Sequence, residues 1–166
     1  FIRTTNPQHY AAAQEMWRRC DAKGDIYKKT YTGIYCVGCE AYKTEKELDE
    51  NGTCVLHPSL TPETISEENY FFRLSKYGTP LLEYLSKENI VIPAWRRQEA
   101  INFVKEGLED FSISRDKSRL SWGVPVPGDD SHVMYVWFDA LTNYISTLGW
   151  PEDLEGSFQR FWEEGY

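Results

Sequence analysis

The pattern Cys36-x2-Cys39 followed, fourteen residues on, by Cys54-x2-His57 constrains this chain more than any other feature. Each pair sets two soft or borderline ligands two residues apart, so that two tight turns can bring four side chains onto one ion, which is tetrahedral zinc spacing. Gly38 inside the first turn and Gly52 just ahead of the second supply backbone that can bend sharply. All four positions carry ligand chemistry, which leaves no place for a substrate water. The spacing therefore predicts one structural Zn²⁺ held by Cys36, Cys39, Cys54 and His57. The competing reading, ordinary buried thiols beside a surface histidine, requires both pairs to fall at this spacing by chance.

Cys20 is the thiol left over. Asn6 can cap a helix that has Pro7 at its first position and Gly24 just past its end. Within it Tyr10, Ala13, Trp17 and Cys20 fall on one helical face, so Cys20 reads as a small core hydrophobe rather than a nucleophile. With three cysteines assigned to metal, no even set remains for a secreted disulfide framework, which predicts a reducing, intracellular setting.

A chain of 166 residues, 41% apolar and 15% aromatic, can bury one real core plus a small metal module. Eighteen basic against twenty-six acidic residues give a net charge of −8, which weighs against a surface for non-specific nucleic-acid binding. No apolar run approaches membrane-spanning length and no signal-peptide pattern occurs, so the expectation is a soluble protein. The chain opens on Phe1 rather than Met and stops just after the cluster Phe158, Phe161, Trp162, and so reads as part of something longer.

Local patterns predict an alternation of strands and helices. Phe1 to Thr5 could end a strand ahead of the first helix, and Ile26 to Tyr35 is strand-like. Thr44 and Glu47 form a capping box, and Asp49 to Gly52 turns the chain back. Glu67 to Leu74 reads as strand, Thr79-Pro80 starts a short helix, and Ile90 to Ile92 is a buried strand or an apolar linker. A helix over Pro93 to Lys105 has a thin apolar face. Phe111 to Ser114 reads as strand, Trp122 to Gly128 as extended and proline-rich, Val133 to Phe138 as an apolar strand, and Ala140 to Leu148 as a helix with Asp139 as its cap. His9 and His132 have no partner pattern and read as solvated or packed. Strand then helix at both ends of a zinc-bearing middle suggests an α/β sheet protein interrupted by an inserted domain.

Four collinear stretches carry a family resemblance: Glu68-Asn69-Tyr70-Phe71-Phe72-Arg73-Leu74-Ser75-Lys76-Tyr77; Ser112-Ile113-Ser114-Arg115; Trp122-Gly123-Val124-Pro125-Val126-Pro127-Gly128; and His132-Val133-Met134-Tyr135-Val136-Trp137-Phe138-Asp139-Ala140. Together with Phe1-Ile2-Arg3-Thr4-Thr5 they make the chain resemble methionyl-tRNA synthetases nearly end to end. The resemblance implies an α/β fold, part of a split Rossmann-type catalytic domain with an inserted mixed α+β zinc-binding connective-peptide domain. By that likeness residues 1–25 would end the first Rossmann half, 26–115 would be the insertion with its knuckles at 36–57, and 116–166 would return into the second half. The C-x2-C…C-x2-H form resembles bacterial members with a single zinc.

The same resemblance implies an enzyme that activates methionine with ATP and Mg²⁺ and charges tRNA(Met), in a bacterial cytoplasm or, alternatively, a mitochondrion. The family's H-x-G-H and K-M-S-K-S motifs do not occur in these 166 residues, so this stretch alone is expected to be inactive. Positions matching Trp137, Ala140, Leu141 and Tyr144 line the methionine pocket in the family; from the residues alone, an aromatic stripe at helical spacing reads first as core. Arg115 matches the arginine of the family's I-S-R motif, associated with adenylate formation. Its planar fork suits a phosphate or carboxylate, and the plain alternative is an ion pair with Asp110, Asp116 or another carboxylate. A different class of function, a non-catalytic zinc-ribbon interaction module, fits the knuckles but leaves the four stretches without a role.

Overall fold

Pro7 pre-sets the backbone of a first helical turn and has no N–H to leave unpaired, so the chain can turn directly from Asn6 into α1, Pro7–Ala22. Asn6 occupies the extended N-cap position, although its side chain makes no cap hydrogen bond. The helix closes at Lys23, whose N–H returns to Arg19 O, and Gly24 then turns the chain at φ +70°. The computed structural model describes residues 2–39 and 41–165, and in it the remaining elements are β1 (Ile26–Cys36), β2 (Ala41–Lys43), β3 (Glu63–Phe72), α2 (Gly78–Ser86), α3 (Ala94–Lys105), β4 (Phe111–Ser112), β5 (Ser114–Asp116), β6 (Pro125–Val126), β7 (Asp129–Met134), α4 (Val136–Leu141) and α5 (Asn143–Ser146). This is a mixed α/β chain.

Two compact units result, one made of residues 1–27 and 70–166, the other of residues 28–69. In the smaller unit β1 lies between β2 and β3, with Ile34 opposite Lys43 and Tyr35 opposite Tyr42. Tyr42 meets Tyr31 and Tyr35 edge-on at 4.7 and 5.3 Å between ring centroids. In the larger unit the end of β3 pairs with β4, and β7 forms the centre of a three-stranded antiparallel sheet between β5 and β6. Its core gathers Ala13, Trp17, Ile26, Ile113, Val124, Val126 and Met134. Trp17 sits edge-on to Tyr70 and Phe138, at 5.2 and 5.3 Å. The helical stripe expected on α1 is thus the one buried, with Tyr10 and Cys20 packed at its margin.

Several local expectations are overturned. Ile2 to Thr5 is not a strand but a turn, with the Asn6 N–H bonded to Arg3 O; Phe1 lies outside the described residues. Of the two readings of Ile90 to Ile92 the linker holds and the buried strand does not: the segment is a run of bends, with Ile92 77% exposed. The expected strand from Val133 to Phe138 stops at Met134, and the helix begins at Val136. An unbroken apolar run has no period to separate the two states; the partners of β7 decide, because pairing with β6 ends at Pro125 opposite Val133 and the last bond on the β5 side is Tyr135 N–H to Ile113 O, just beyond Ser114 opposite Met134. Trp137 therefore lies in the first turn of α4, not at a strand end, and Asp139 lies inside that helix rather than capping it. The expected single helix over Ala140 to Leu148 is two short ones, interrupted at Thr142, whose hydroxyl bonds back to Phe138 O.

Candidate metal centre and ligand face

Register brings the four candidate metal ligands together in the smaller unit. Cys36 ends β1 and pairs with Ala41 of β2, so Cys36-Val37-Gly38-Cys39 forms the turn side of a hairpin. The second pair is held by its own backbone: Cys54 bridges both Leu48 and His57, and the His57 N–H donates to Cys54 O at 2.9 Å. Between the two pairs, the capping box is present on a 3-10 turn, with Thr44 N–H and Oγ1 each 2.9 Å from Glu47 Oε2. Asp49 Oδ1 accepts the N–H groups of Asn51 and Thr53, and Gly52 takes φ +76° in that turn.

The four ligand atoms of Cys36, Cys39, Cys54 and His57 lie within 4.8 Å of one another. Cys39 Sγ is 3.6 Å from Cys54 Sγ and 3.2 Å from His57 Nδ1, and Cys36 Sγ is 3.8 Å from the same nitrogen. Ligands on a tetrahedral zinc at bond lengths of roughly 2.3 Å to sulfur and 2.0–2.1 Å to nitrogen stand about 3.5–3.8 Å apart; the 3.6 and 3.8 Å separations fall in that range and the 3.2 Å one is shorter, so the donor set could hold the ion with a small adjustment of the His57 ring. Gly38 makes the fit possible, since a Cβ there would meet the His57 ring at 2.6 Å. Burial works against the Cys54 thiolate, but the Leu56 N–H, then His57 and the neighbouring thiols, bring that thiol down to about 6. Cys20 behaves oppositely: burial, then the Asp25 carboxylate, pushes its thiol up, in keeping with packing rather than reactivity.

The second constellation lies in the larger unit. Trp137, Ala140, Leu141 and Tyr144 share one side of the α4–α5 stretch by helical spacing, and three of them face outward, with Trp137 61% and Tyr144 64% exposed. They are not core. Trp137 and Leu141 also edge an apolar groove of about 300 Å³ that includes Met16, Phe72, Phe111 and Trp162. A larger cavity of about 410 Å³, lined by Gln8, Trp150 and Glu152 among others, contains none of the residues picked out from the sequence.

Arg115 is 92% buried (8% exposed), and it is not held by the carboxylates nearest in sequence. Asp110 accepts from Ser75 and Tyr27, and Asp116 from the Ser118 N–H. Instead Arg115 Nη1 donates to Ser112 Oγ at 2.9 Å and to Ser114 O at 2.7 Å, and the guanidinium carbon stands 4.0 Å from the centre of the Tyr135 ring. Among the described residues no partner engages Nε or Nη2, so the side-on edge of the fork is open to a planar anion.

Three further residues have surroundings that the sequence reading did not name. Of the two readings of His132, solvated or packed, the packed one holds: it is buried, with Nδ1 3.0 Å from Asp129 Oδ2, which also accepts from Tyr70 OH. His9 is fully buried against Ser146 Oγ. Asp139 is buried with Oδ1 unpartnered among the described residues, and burial pushes its carboxyl up to about 6. The D-x-x-H spacing was the available signal for the first; the other two depend on tertiary packing.

The family profile described as tRNA synthetases class I (M) matches residues 1–58 and 45–166. The chain belongs to that class I tRNA synthetase family. Among curated relatives it is 51% identical over 165 residues to a methionine–tRNA ligase of Mesorhizobium japonicum, covering 98% of this chain and 31% of the relative. It is 46% identical to the chloroplastic/mitochondrial methionine–tRNA ligase of Arabidopsis thaliana, covering 93% of this chain and 27% of the relative. A crystal structure of Mycobacterium tuberculosis methionyl-tRNA synthetase bound by methionyl-adenylate superposes with a TM-score of 0.79 at 42% identity, over 98% of this chain and 32% of that one. The chain thus spans about a third of the length of the proteins it matches. No helix among the described residues is long and apolar enough to cross a membrane.

Proposed function

We propose that this chain is a segment of a methionine–tRNA ligase, in which the methionine carboxylate attacks the α-phosphorus of ATP, with Mg²⁺, to give methionyl-adenylate and pyrophosphate, and the methionyl group then passes to tRNA(Met) with release of AMP. The observation that carries the reading is the open side-on edge of buried Arg115, on a strand whose neighbour β7 runs directly into the helix bearing Trp137 and Ala140. A buried guanidinium without a counter-ion is costly unless an anion completes it. The carboxylate or α-phosphate of the reacting pair has the matching planar or tetrahedral oxygens. Charge on those oxygens changes as the carboxylate attacks phosphorus, so two parallel N–H bonds would favour the transition state.

Residues 1–25, 26–115 and 116–166 are read as the end of one Rossmann half, the connective-peptide insertion and the start of the second half. Cys36, Cys39, Cys54 and His57 would hold one Zn²⁺, which would supply cross-linking of the two knuckles and no catalytic chemistry. Trp137, Ala140, Leu141 and Tyr144 would wall the methionine side chain, where aromatic faces suit a thioether. The setting would be a bacterial cytoplasm or an organelle.

The test is pre-steady-state adenylate formation by the complete enzyme over a methionine titration. Trp137→Ala and Tyr144→Ala should raise KM for methionine with little change in kcat, because the side chain they contact is the same in ground and transition states. Arg115→Ala should lower kcat by about tenfold or more, and Arg115→Lys should recover only part of it, since lysine keeps the charge but not the fork. A rate within about twofold of wild type for Arg115→Ala, under ~0.5 kcal/mol, removes the arginine from the reaction.

A further inference from the structure

We propose that Tyr135 is a positioning residue for Arg115, holding the guanidinium plane so that its Nε–Nη2 edge faces the reacting anion; this rests on the reading of Arg115 given above. The pleat brings the two together. Arg115 pairs with Val133 across the β5–β7 ladder, and Tyr135 lies two residues beyond Val133, on the same face and diagonal to the arginine. Its backbone is fixed independently, with the Tyr135 N–H on Ile113 O at 2.8 Å and extended dihedrals of φ −77° and ψ 142° at the N-cap of α4. Two hydrogen bonds, both from Nη1, anchor one corner of the guanidinium and leave its Nε–Nη2 side without a hydrogen-bonded restraint among the described residues. The Tyr135 ring, 4.0 Å from the guanidinium carbon, restrains the group from its face, where no hydrogen bond acts.

The chemical choice of partner matters. A carboxylate in this place would satisfy the buried charge by occupying the fork, and so would compete with an anionic ligand. An aromatic face stabilises the cation through its quadrupole while leaving every N–H in the guanidinium plane available. Because Tyr135 is also the residue from which α4 starts, the stack ties the orientation of Arg115 to the helix that bears Trp137 and Ala140.

The experiment is single-turnover adenylate formation by the complete enzyme carrying Tyr135→Leu, Tyr135→Phe, Arg115→Ala, or Tyr135→Leu with Arg115→Ala, each over a methionine titration and with bound zinc measured to verify folding. Tyr135→Leu should slow the chemical step about five- to thirtyfold, the range a desolvated cation–π contact spans, with KM for methionine nearly unchanged. Tyr135→Phe, which keeps the ring face, should recover the rate to within about threefold. In the Arg115→Ala background the Leu substitution should add less than about twofold, because residues acting through one another are not additive. If Arg115→Ala itself has no effect, the reading of Arg115 fails and this inference with it. If Arg115→Ala slows the step but Tyr135→Leu does not, or slows it equally in both backgrounds, Tyr135 does not act through Arg115 and only this inference is overturned. Should Tyr135→Leu fail to fold, Tyr135→Phe decides: a loss beyond about tenfold assigns the role to the hydroxyl and overturns the stack.

Discussion

At Gly38 a single methyl group would have to share space with the His57 ring, at 2.6 Å from Cδ2, and with Leu60 Cδ1 at 2.8 Å. The glycine is there for close approach rather than for an unusual φ, and the ligand it seats has the only nitrogen in the set. Zinc binding in comparable small domains contributes roughly 10–16 kcal/mol, enough to decide whether such a module folds. Protein purified without added metal should carry one zinc per chain by elemental analysis. Cys54→Ser should lose it and Cys20→Ser should keep it. Gly38→Ala should weaken affinity in a chelator competition by about tenfold or more, ~1.4 kcal/mol, because the ring must move away from the thiolates. Equal zinc loss from Cys20→Ser and Cys54→Ser would contradict the ligand set.

Among the elements, the turn at Leu74–Tyr77 shows how polar groups organise the larger unit. Asp25, fully buried just after α1, accepts from Lys76 Nζ at 2.6 Å and from Tyr77 OH, while its own carbonyl takes the Arg73 N–H. On the other side Asp110 takes both the N–H and the hydroxyl of Ser75. The bond from Lys76, then that from Tyr77, holds the Asp25 carboxyl below its ordinary value of 3.8, and the same contact pushes the Tyr77 hydroxyl up to about 12. A lowered folded value means that the unfolded chain takes up the proton first as pH falls. The stabilisation is therefore complete above the unfolded value and disappears as pH drops through the folded one. Asp25→Asn should lower stability by about 1–3 kcal/mol at pH 7, and the gap to wild type should close below about pH 4 in urea unfolding series. A gap that persists unchanged at pH 3 would show that packing, not the charge, holds this turn.

At the scale of the whole molecule, the proposed reading would have this chain supply one face of the methionine site and one edge of an anion site, and the sequence contains none of the residues of H-x-G-H or K-M-S-K-S. Removing even one preorganised donor from a site of this kind commonly lowers the rate by ~10²–10³. The 166-residue chain by itself should show no methionine-dependent ATP–pyrophosphate exchange above a boiled-protein blank. Exchange above that blank would mean that phosphate-binding groups within this chain suffice for the chemistry.

The clustering of Cys36, Cys39, Cys54 and His57, the α1 stripe and the capping box of Thr44 and Glu47 were legible in the sequence because each is a local matter: spacing along a turn or a helix dictates which side chains can meet. The resemblance of four collinear stretches also located the α4–α5 face, although not its secondary structure, since an apolar run from Val133 to Phe138 suits strand and helix alike. Only tertiary structure ended β7 at Met134, through the point where its neighbouring strands run out, and so moved Trp137 onto a helix. The surroundings of Arg115 were equally out of reach of local pattern. Ser112 and Ser114 are near it in sequence, but Tyr135 is twenty residues away and meets it only because β5 and β7 pair in one particular register. Side chains that depend on register are decided by the sheet as a whole, since a slip of one residue would turn every one of them to the opposite face.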